Sequence, residues 1–132
     1  SEKYQFETKI SRVVEQLSKS YKSRFFVKVG IHFRSIPVEK ICVFFVEERC
    51  TFLKTRESKN YDLEHSLDQI QKMIDPGKFF RINLNYLVNI DYIIEIIGYS
   101  SSRLKLKLEN CNDENLIVSR DKVSEFKNWM DR

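Results

Sequence analysis

KFFRINLNYLVN, residues 78–89, has the apolar pattern of a buried strand, yet Arg81, Asn83 and Asn85 interrupt it. Polar side chains in such a setting need partners, because an unpaired buried donor or acceptor is costly. The stretch therefore bears on fold and function together.

On its C-terminal side the strand pattern continues. Residues 91–97, 103–109 and 115–118 read as strands, with residues 98–102 and 110–114 as loops, and RLKLKLE (103–109) alternates as a half-buried strand does. Ser119 is the expected N-cap of a closing helix whose Val123, Phe126 and Met130 follow helical spacing, with Trp129 flanking that stripe. On the N-terminal side, Asp75–Pro76–Gly77 stops a helix that presents Leu63, Leu67, Ile70 and Ile74. Asp62 is its expected N-cap, giving a helix of about three turns. Before it, RFFVKVG (24–30), HFRSIPV (32–38), KICVFFVE (40–47) and TFLKTRE (51–57) are rich in aromatic and β-branched residues and read as short strands. Pro37 cannot donate to a ladder, which predicts a strand end or edge there. At the N-terminus, Phe6, Ile10, Val13, Val14, Leu17 and Tyr21 share one helical face, so an amphipathic helix is expected.

Composition narrows the function classes. A chain of 132 residues with 42% hydrophobic and 13% aromatic content is the size of one domain with one core. No apolar run approaches the ~20 residues that span a bilayer, and the N-terminus lacks the apolar core of a signal peptide, so a cytosolic (cytoplasmic) protein is expected. Cys42, Cys50 and Cys111 are an odd count without CxxC spacing, and only His32 and His65 could join them as ligands, which argues against a disulfide framework or a zinc site. The three glycines, Gly30, Gly77 and Gly98, cannot build a phosphate-cradling loop. Nothing near either histidine resembles a nucleophile–base arrangement, and Glu47 and Glu48 are adjacent, so they belong to a solvated turn. The reading is of a non-enzyme that needs no cofactor and no metal.

Charge points toward recognition. Between Ser18 and Asn60 there are ten Lys/Arg against four Asp/Glu, whereas the remaining residues carry thirteen against fifteen. The basic side lies in the first half, compatible either with a phosphate-facing surface or with a solvated, lysine-rich one.

RFFVKVG, SIPVEKI (35–41), FFVEERCTFLKT (44–55), KFFRINLNYLVNID (78–91) and IVSRDKVSEFKNW (117–129) occur in an order and spacing that resemble a LytTR domain, the DNA-binding output module of many bacterial response regulators. The resemblance covers residues 24–132. Residues 1–23 then form an N-terminal helix and linker, with the phosphoryl-accepting receiver domain that would lie upstream absent from this chain. The family resemblance implies a mostly β (α+β) fold of small packed antiparallel sheets flanked by helices, without a recognition helix. It also implies major-groove contacts from loops and strand ends, sites arranged as paired direct repeats on bent duplex DNA, and a possible dimer on DNA. Backbone contacts would set register and base-edge contacts specificity.

Three places match the family's DNA-contacting positions. At the first, Arg49 and Thr51 can meet phosphate or base and Lys54 can add charge; alternatively Arg49 only pairs with its flanking glutamates. At the second, Arg81, Asn83, Leu84 and Asn85 match, and asparagine suits a bidentate contact with adenine. Leu84 departs from the polar or basic residue common there and offers only apolar contact, for example to a thymine methyl. Asn83 and Asn85 can alternatively cap backbone groups of a turn. At the third, Arg120 is the expected guanine contact and Lys122 a backbone contact; a cation in a helix's first turn opposes the macrodipole, so local stability does not explain it. A surface pair of Arg120 with Asp121 or Glu125 is the alternative.

The resulting expectation is sequence-specific duplex DNA binding in a two-component transcription regulator. A protein-interaction module on the same scaffold with reduced or lost DNA binding is the alternative, and Leu84 is its main support. An RNA-binding module is less favoured, since no exposed aromatic platform stands out.

Overall fold

The computed structural model describes residues 20–132, together with Gln5. Strands β1 (Arg24–Val29) and β2 (His32–Pro37) form a hairpin, and Pro37 ends the second strand. Between them Gly30 takes φ 63°, a left-handed value that a residue without Cβ adopts freely. A five-stranded antiparallel sheet follows, built from β3 (Ile41–Glu47), β4 (Cys50–Thr55), β5 (Asn60–Leu63), β6 (Phe79–Asn83) and β7 (Tyr86–Asn89) in the order β5-β4-β3-β7-β6. Helix α1 (Leu67–Met73) connects β5 to β6. The third sheet has the order β10-β9-β8 and comprises β8 (Ile93–Tyr99), β9 (Arg103–Leu108) and the short β10 (Ile117–Val118). A 3-10 turn, Arg120–Lys122, leads into the last helix, α2 (Val123–Met130).

The middle strand explains the layering. ICVFFVE is apolar at nearly every position, and Ile41 to Phe45 are all buried, as expected of a strand covered on both faces. One face, with Ile41 and Phe44, packs with Leu53, Phe79 and Leu87 against Phe25, Val27 and Ile36 of the hairpin and Leu67, Ile70 and Ile74 of the α1 region. The other, with Val43 and Phe45, packs with Phe80, Ile82 and Val88 against Leu106 and Leu108 of β9, Val118 and Phe126. In α2, Phe126 is buried while Val123 and Met130 are partly so, and Trp129 lies beside them, its ring 5.2 Å from that of Phe80 and its indole N–H donating to the Pro76 carbonyl at 2.8 Å.

Several sequence expectations are corrected here. Asp62 does not cap α1: it lies in β5 opposite Phe52, and Leu63 is an edge-strand residue. The helix starts after Ser66, whose hydroxyl accepts from the Gln69 amide at 3.1 Å while the Gln69 side chain accepts from the Ser66 amide at 2.9 Å. That reciprocal box satisfies two otherwise free N–H groups and outweighs a stripe of apolar residues as a start signal. The helix is thus seven residues long, short of three turns, and His65 precedes it. Residues 78–89 are two strands with a turn at Leu84–Asn85, because the polar residues bend the chain back. Ser119 stands before a 3-10 turn and makes no side-chain cap; its carbonyl accepts from the Lys122 amide at 2.8 Å. The stripe on Phe6, Ile10, Val13, Val14 and Leu17 lies outside the described residues, and Tyr21 lies outside any helix and is exposed.

Replacing Ser66 with alanine is expected to lower the unfolding free energy by about 1 kcal/mol in urea, the usual cost of losing an N-cap. Asp62→Ala should change it by less than about 0.5 kcal/mol, as for an exposed position. The reverse order would return the cap to Asp62.

Candidate functional site

The β3–β4 turn has only two residues between the paired Glu47 and Cys50. Glu48 and Arg49 take φ 49° and 67°, the positive values that a two-residue hairpin of matching twist demands at both central positions. Neither is glycine, so the conformation carries a cost of about 1–2 kcal/mol per residue. Arg49 projects from this turn and is exposed. Thr51 does not share that exposure: it is 8% accessible within β4, between Val46 and Leu63. Lys54 lies further along β4, partly buried, with its ammonium 6.0 Å from the Phe45 ring centre. The first expected group is therefore one exposed arginine at a tip, with Thr51 and Lys54 set back in the sheet.

At the β6–β7 turn the polar residues found in the strand pattern acquire partners. Arg81, with its side chain only 13% accessible, donates Nε to the Asn83 carbonyl at 2.9 Å and Nη2 to the Leu84 carbonyl at 2.6 Å. Its Nη1 meets Asp68 Oδ1 at 2.8 Å and Gln71 Oε1 at 3.0 Å, both on α1. Asn83 donates Nδ2 to the Ile117 carbonyl at 2.7 Å and accepts at Oδ1 from the Asn85 amide at 2.8 Å. Arg81 and Asn83 thus hold the turn from within, while the side chains of Leu84 and Asn85 stand outside. Leu84 is 83% exposed. The backbone of Asn85 is tied down as well, its carbonyl accepting from the Val46 amide at 3.0 Å.

The third segment lies beside the second, since the Ser119 amide donates to the Ile82 carbonyl at 3.0 Å. Arg120 is exposed and donates Nε to the Ser101 carbonyl at 2.9 Å; among the described contacts it pairs with neither Asp121 nor Glu125. The free helix N-terminus expected beside it starts three residues later, at Val123, because Arg120–Lys122 closes a tighter turn first. Lys122 lies 3.7 Å from Glu125, an exposed pair worth at most about 1 kcal/mol.

The second and third segments border one open groove of about 1060 Å³, to which Leu84, Asn85, Ser119, Asp121 and Lys122 contribute; the β3–β4 hairpin reaches it through Val46 and Glu47, and neither Arg49 nor Arg120 lines it. Deeper in it the Tyr86 hydroxyl donates to Asp113 Oδ2 at 2.5 Å, and burial, then this carboxylate, push the phenol well above its ordinary pKa. The sequence reading missed Asp68 and Gln71, which orient Arg81 from thirteen and ten residues away, and no local signal pointed to them. Among the described residues no group of three His, Cys, Asp or Glu side chains is gathered as a metal would require, and no helix is long and apolar enough to cross a membrane. All three cysteines are free; burial pushes the Cys42 thiol up to about 12.

A family model described as the LytTr DNA-binding domain matches residues 32–131. The chain belongs to this family. The transcriptional regulatory protein YpdB of Escherichia coli K12 is 30% identical over 94 residues, which is 71% of this chain and 38% of that protein, and its counterpart in Shigella flexneri matches equally. The chain therefore spans 38% of the length of these curated relatives. A LytTr DNA-binding domain from Bacillus cereus superposes with a TM-score of 0.73 at 21% identity, over 83% of this chain and 97% of that one. The mostly β LytTR-like fold expected from the sequence blocks is borne out.

Arg81→Ala removes the charged donor from the Asn83 and Leu84 carbonyls, and we expect it to destabilise the LytTr fold by about 2 kcal/mol in a denaturant titration. A change below about 0.5 kcal/mol would show the clip to be dispensable.

Proposed function

We propose that this LytTr domain binds duplex DNA sequence-specifically, as the output part of a two-component transcription regulator. The observation that carries the reading is that the β6–β7 turn and the Ser119–Lys122 segment border one groove, which the β3–β4 hairpin reaches at Glu47, in a chain of a DNA-binding family. Those turns bear Arg49, then Leu84 and Asn85, then Arg120, all exposed. In this reading they enter the major groove, which at about 12 Å wide admits secondary-structure elements without a recognition helix. Arg120 contacts guanine O6 and N7, Asn85 an adenine edge and Leu84 a thymine methyl, while Arg49 and Lys122 meet phosphate. Thr51, Lys54, Arg81 and Asn83 support these tips. A direct-repeat site read by two copies of the domain, controlled by a receiver region, completes the proposal.

A second reading has one observation in its favour. Leu84, 83% exposed at its turn, is apolar, and carboxylates of Glu47, Asp68, Asp113 and Asp121 line the groove beside it. Such a face also suits a protein partner.

Salt separates the two. Duplex DNA should be retarded by the domain, with log affinity falling against log salt at a slope of roughly −0.9 per phosphate neutralised. If no duplex pool is bound in a salt-dependent way, the interaction reading stands in its place. On the duplex selected from a random library, Arg120→Ala should weaken binding by about 1–3 kcal/mol while thermal unfolding stays unchanged. Equal affinity of mutant and wild type would remove Arg120 from the interface.

A further inference from the structure

A fourth turn, between β8 and β9, touches this constellation. Ser100, Ser101 and Ser102 join Tyr99 to its cross-strand partner Arg103, and Ser101 and Ser102 take φ 61° and 62°. Two successive non-glycine residues in the left-handed region need support from their surroundings. Two arginines supply it. From β9, Arg103 donates Nε to the Ser100 carbonyl at 3.0 Å and Nη2 to the Ser100 hydroxyl at 3.1 Å, its guanidinium 4.9 Å from the Tyr99 ring centre. From the other side comes the Arg120 Nε–H, 2.9 Å from the Ser101 carbonyl.

We propose that the Ser100–Ser102 turn is a positioning element of the DNA interface: by holding Arg120 at Nε, it directs the two terminal guanidinium nitrogens end-on to a base edge. The inference rests on the DNA-binding reading above and extends it. A guanidinium is a planar fork, so anchoring one N–H sets the plane in which the remaining donors lie. It can meet O6 and N7 of guanine through Nε and one Nη, or through both Nη atoms. With Nε engaged by a carbonyl, the second mode is the one left open. An exposed arginine otherwise loses rotamer freedom on binding, and here part of that ordering is already present in the folded domain. The left-handed backbone matters because it sets the direction of the Ser101 carbonyl, which an extended conformation would turn away.

The test uses the duplex that the wild-type domain selects from a random library. If the wild type selects none, the DNA reading itself fails and this proposal fails with it. Given a selected duplex, Ser101→Val combined with Ser102→Val, β-branched residues poorly tolerated at positive φ, should weaken binding on the order of tenfold. It should also flatten the preference at the base pair that Arg120→Ala flattens, and add no further loss when combined with Arg120→Ala. Ser101→Asn with Ser102→Gly, which accept the left-handed region, should keep wild-type affinity and preference. Because the valine pair could unravel the hairpin, the Nε–H of Arg120 in the free wild-type domain provides an independent reading by NMR. It should exchange with water more slowly than that of Arg49. Additive losses, an unchanged preference at that base pair, or exchange as fast as that of Arg49 would overturn the assignment.

Discussion

The central strand β3 must be buried on both faces, and the architecture answers that demand. Ile41 and Phe44 on one side and Val43 and Phe45 on the other expose almost nothing, and burying each such side chain contributes about 1.5–3 kcal/mol. One sheet cannot bury both of its own faces. The β1–β2 hairpin with α1 covers one, and the β8–β10 sheet with α2 covers the other. Since β7 lies next to β3 and carries Leu87 toward the first core and Val88 toward the second, the two cores share a rigid middle layer. The Glu48–Arg49 and Leu84–Asn85 turns both emerge at the same end of that layer. Their relative position is fixed by ladder register, with the Val46 amide bonded to the Asn85 carbonyl.

The polar interruptions in KFFRINLNYLVN are explained by the turn they create. Arg81 spends its fork on two backbone carbonyls and on two side chains of α1, and Asn83 ties the turn to the Ile117 carbonyl. These bonds stitch the middle sheet to α1 on one side and to β10 on the other. The residues that recognition would use are the next two along, Leu84 and Asn85. A strand pattern containing Arg-x-Asn can thus signal a tip being built, not only a tip being offered.

Much of this fold was legible because it rests on local pattern. Alternation in RLKLKLE, the continuous apolar run of β3, the stop at Asp75–Pro76–Gly77 and the Phe126 stripe each fall where the spacing places them. What escaped depends on contacts distant in sequence. Leu63 fits a helical stripe as well as a strand, and only its pairing with Thr51 assigns it to the sheet. The start of α1 is the exception: Ser66 and Gln69 stand three residues apart, a local capping-box signal that the apolar stripe from Leu63 masked. At the candidate site, sequence could nominate Arg49, Arg81, Asn83 and Arg120 but not sort them. Sorting requires knowing that Asp68 and Gln71 reach Arg81 and that the Ser101 carbonyl reaches Arg120.

The electrostatics of the groove bear on how such a surface would discriminate among DNA sequences. The chain is basic overall by only four charges, and carboxylates of Glu47, Asp68, Asp113 and Asp121 line the groove between the tips. Arg81 and Lys122 line it too, Arg81 paired with Asp68, so its walls carry four carboxylates against two cations, whereas the exposed guanidiniums of Arg49 and Arg120 lie outside its lining. Attraction therefore lies at projecting points, with repulsion between them. For a duplex, that pattern penalises a backbone that settles anywhere except in the register where the tips enter the groove, which is specificity by exclusion as well as by contact. It also implies few neutralised phosphates and a shallow dependence on salt relative to a uniformly basic face. Leu84 fits the same logic, because an apolar tip gains nothing from phosphate and gains only where a base edge offers apolar surface, as the thymine methyl does.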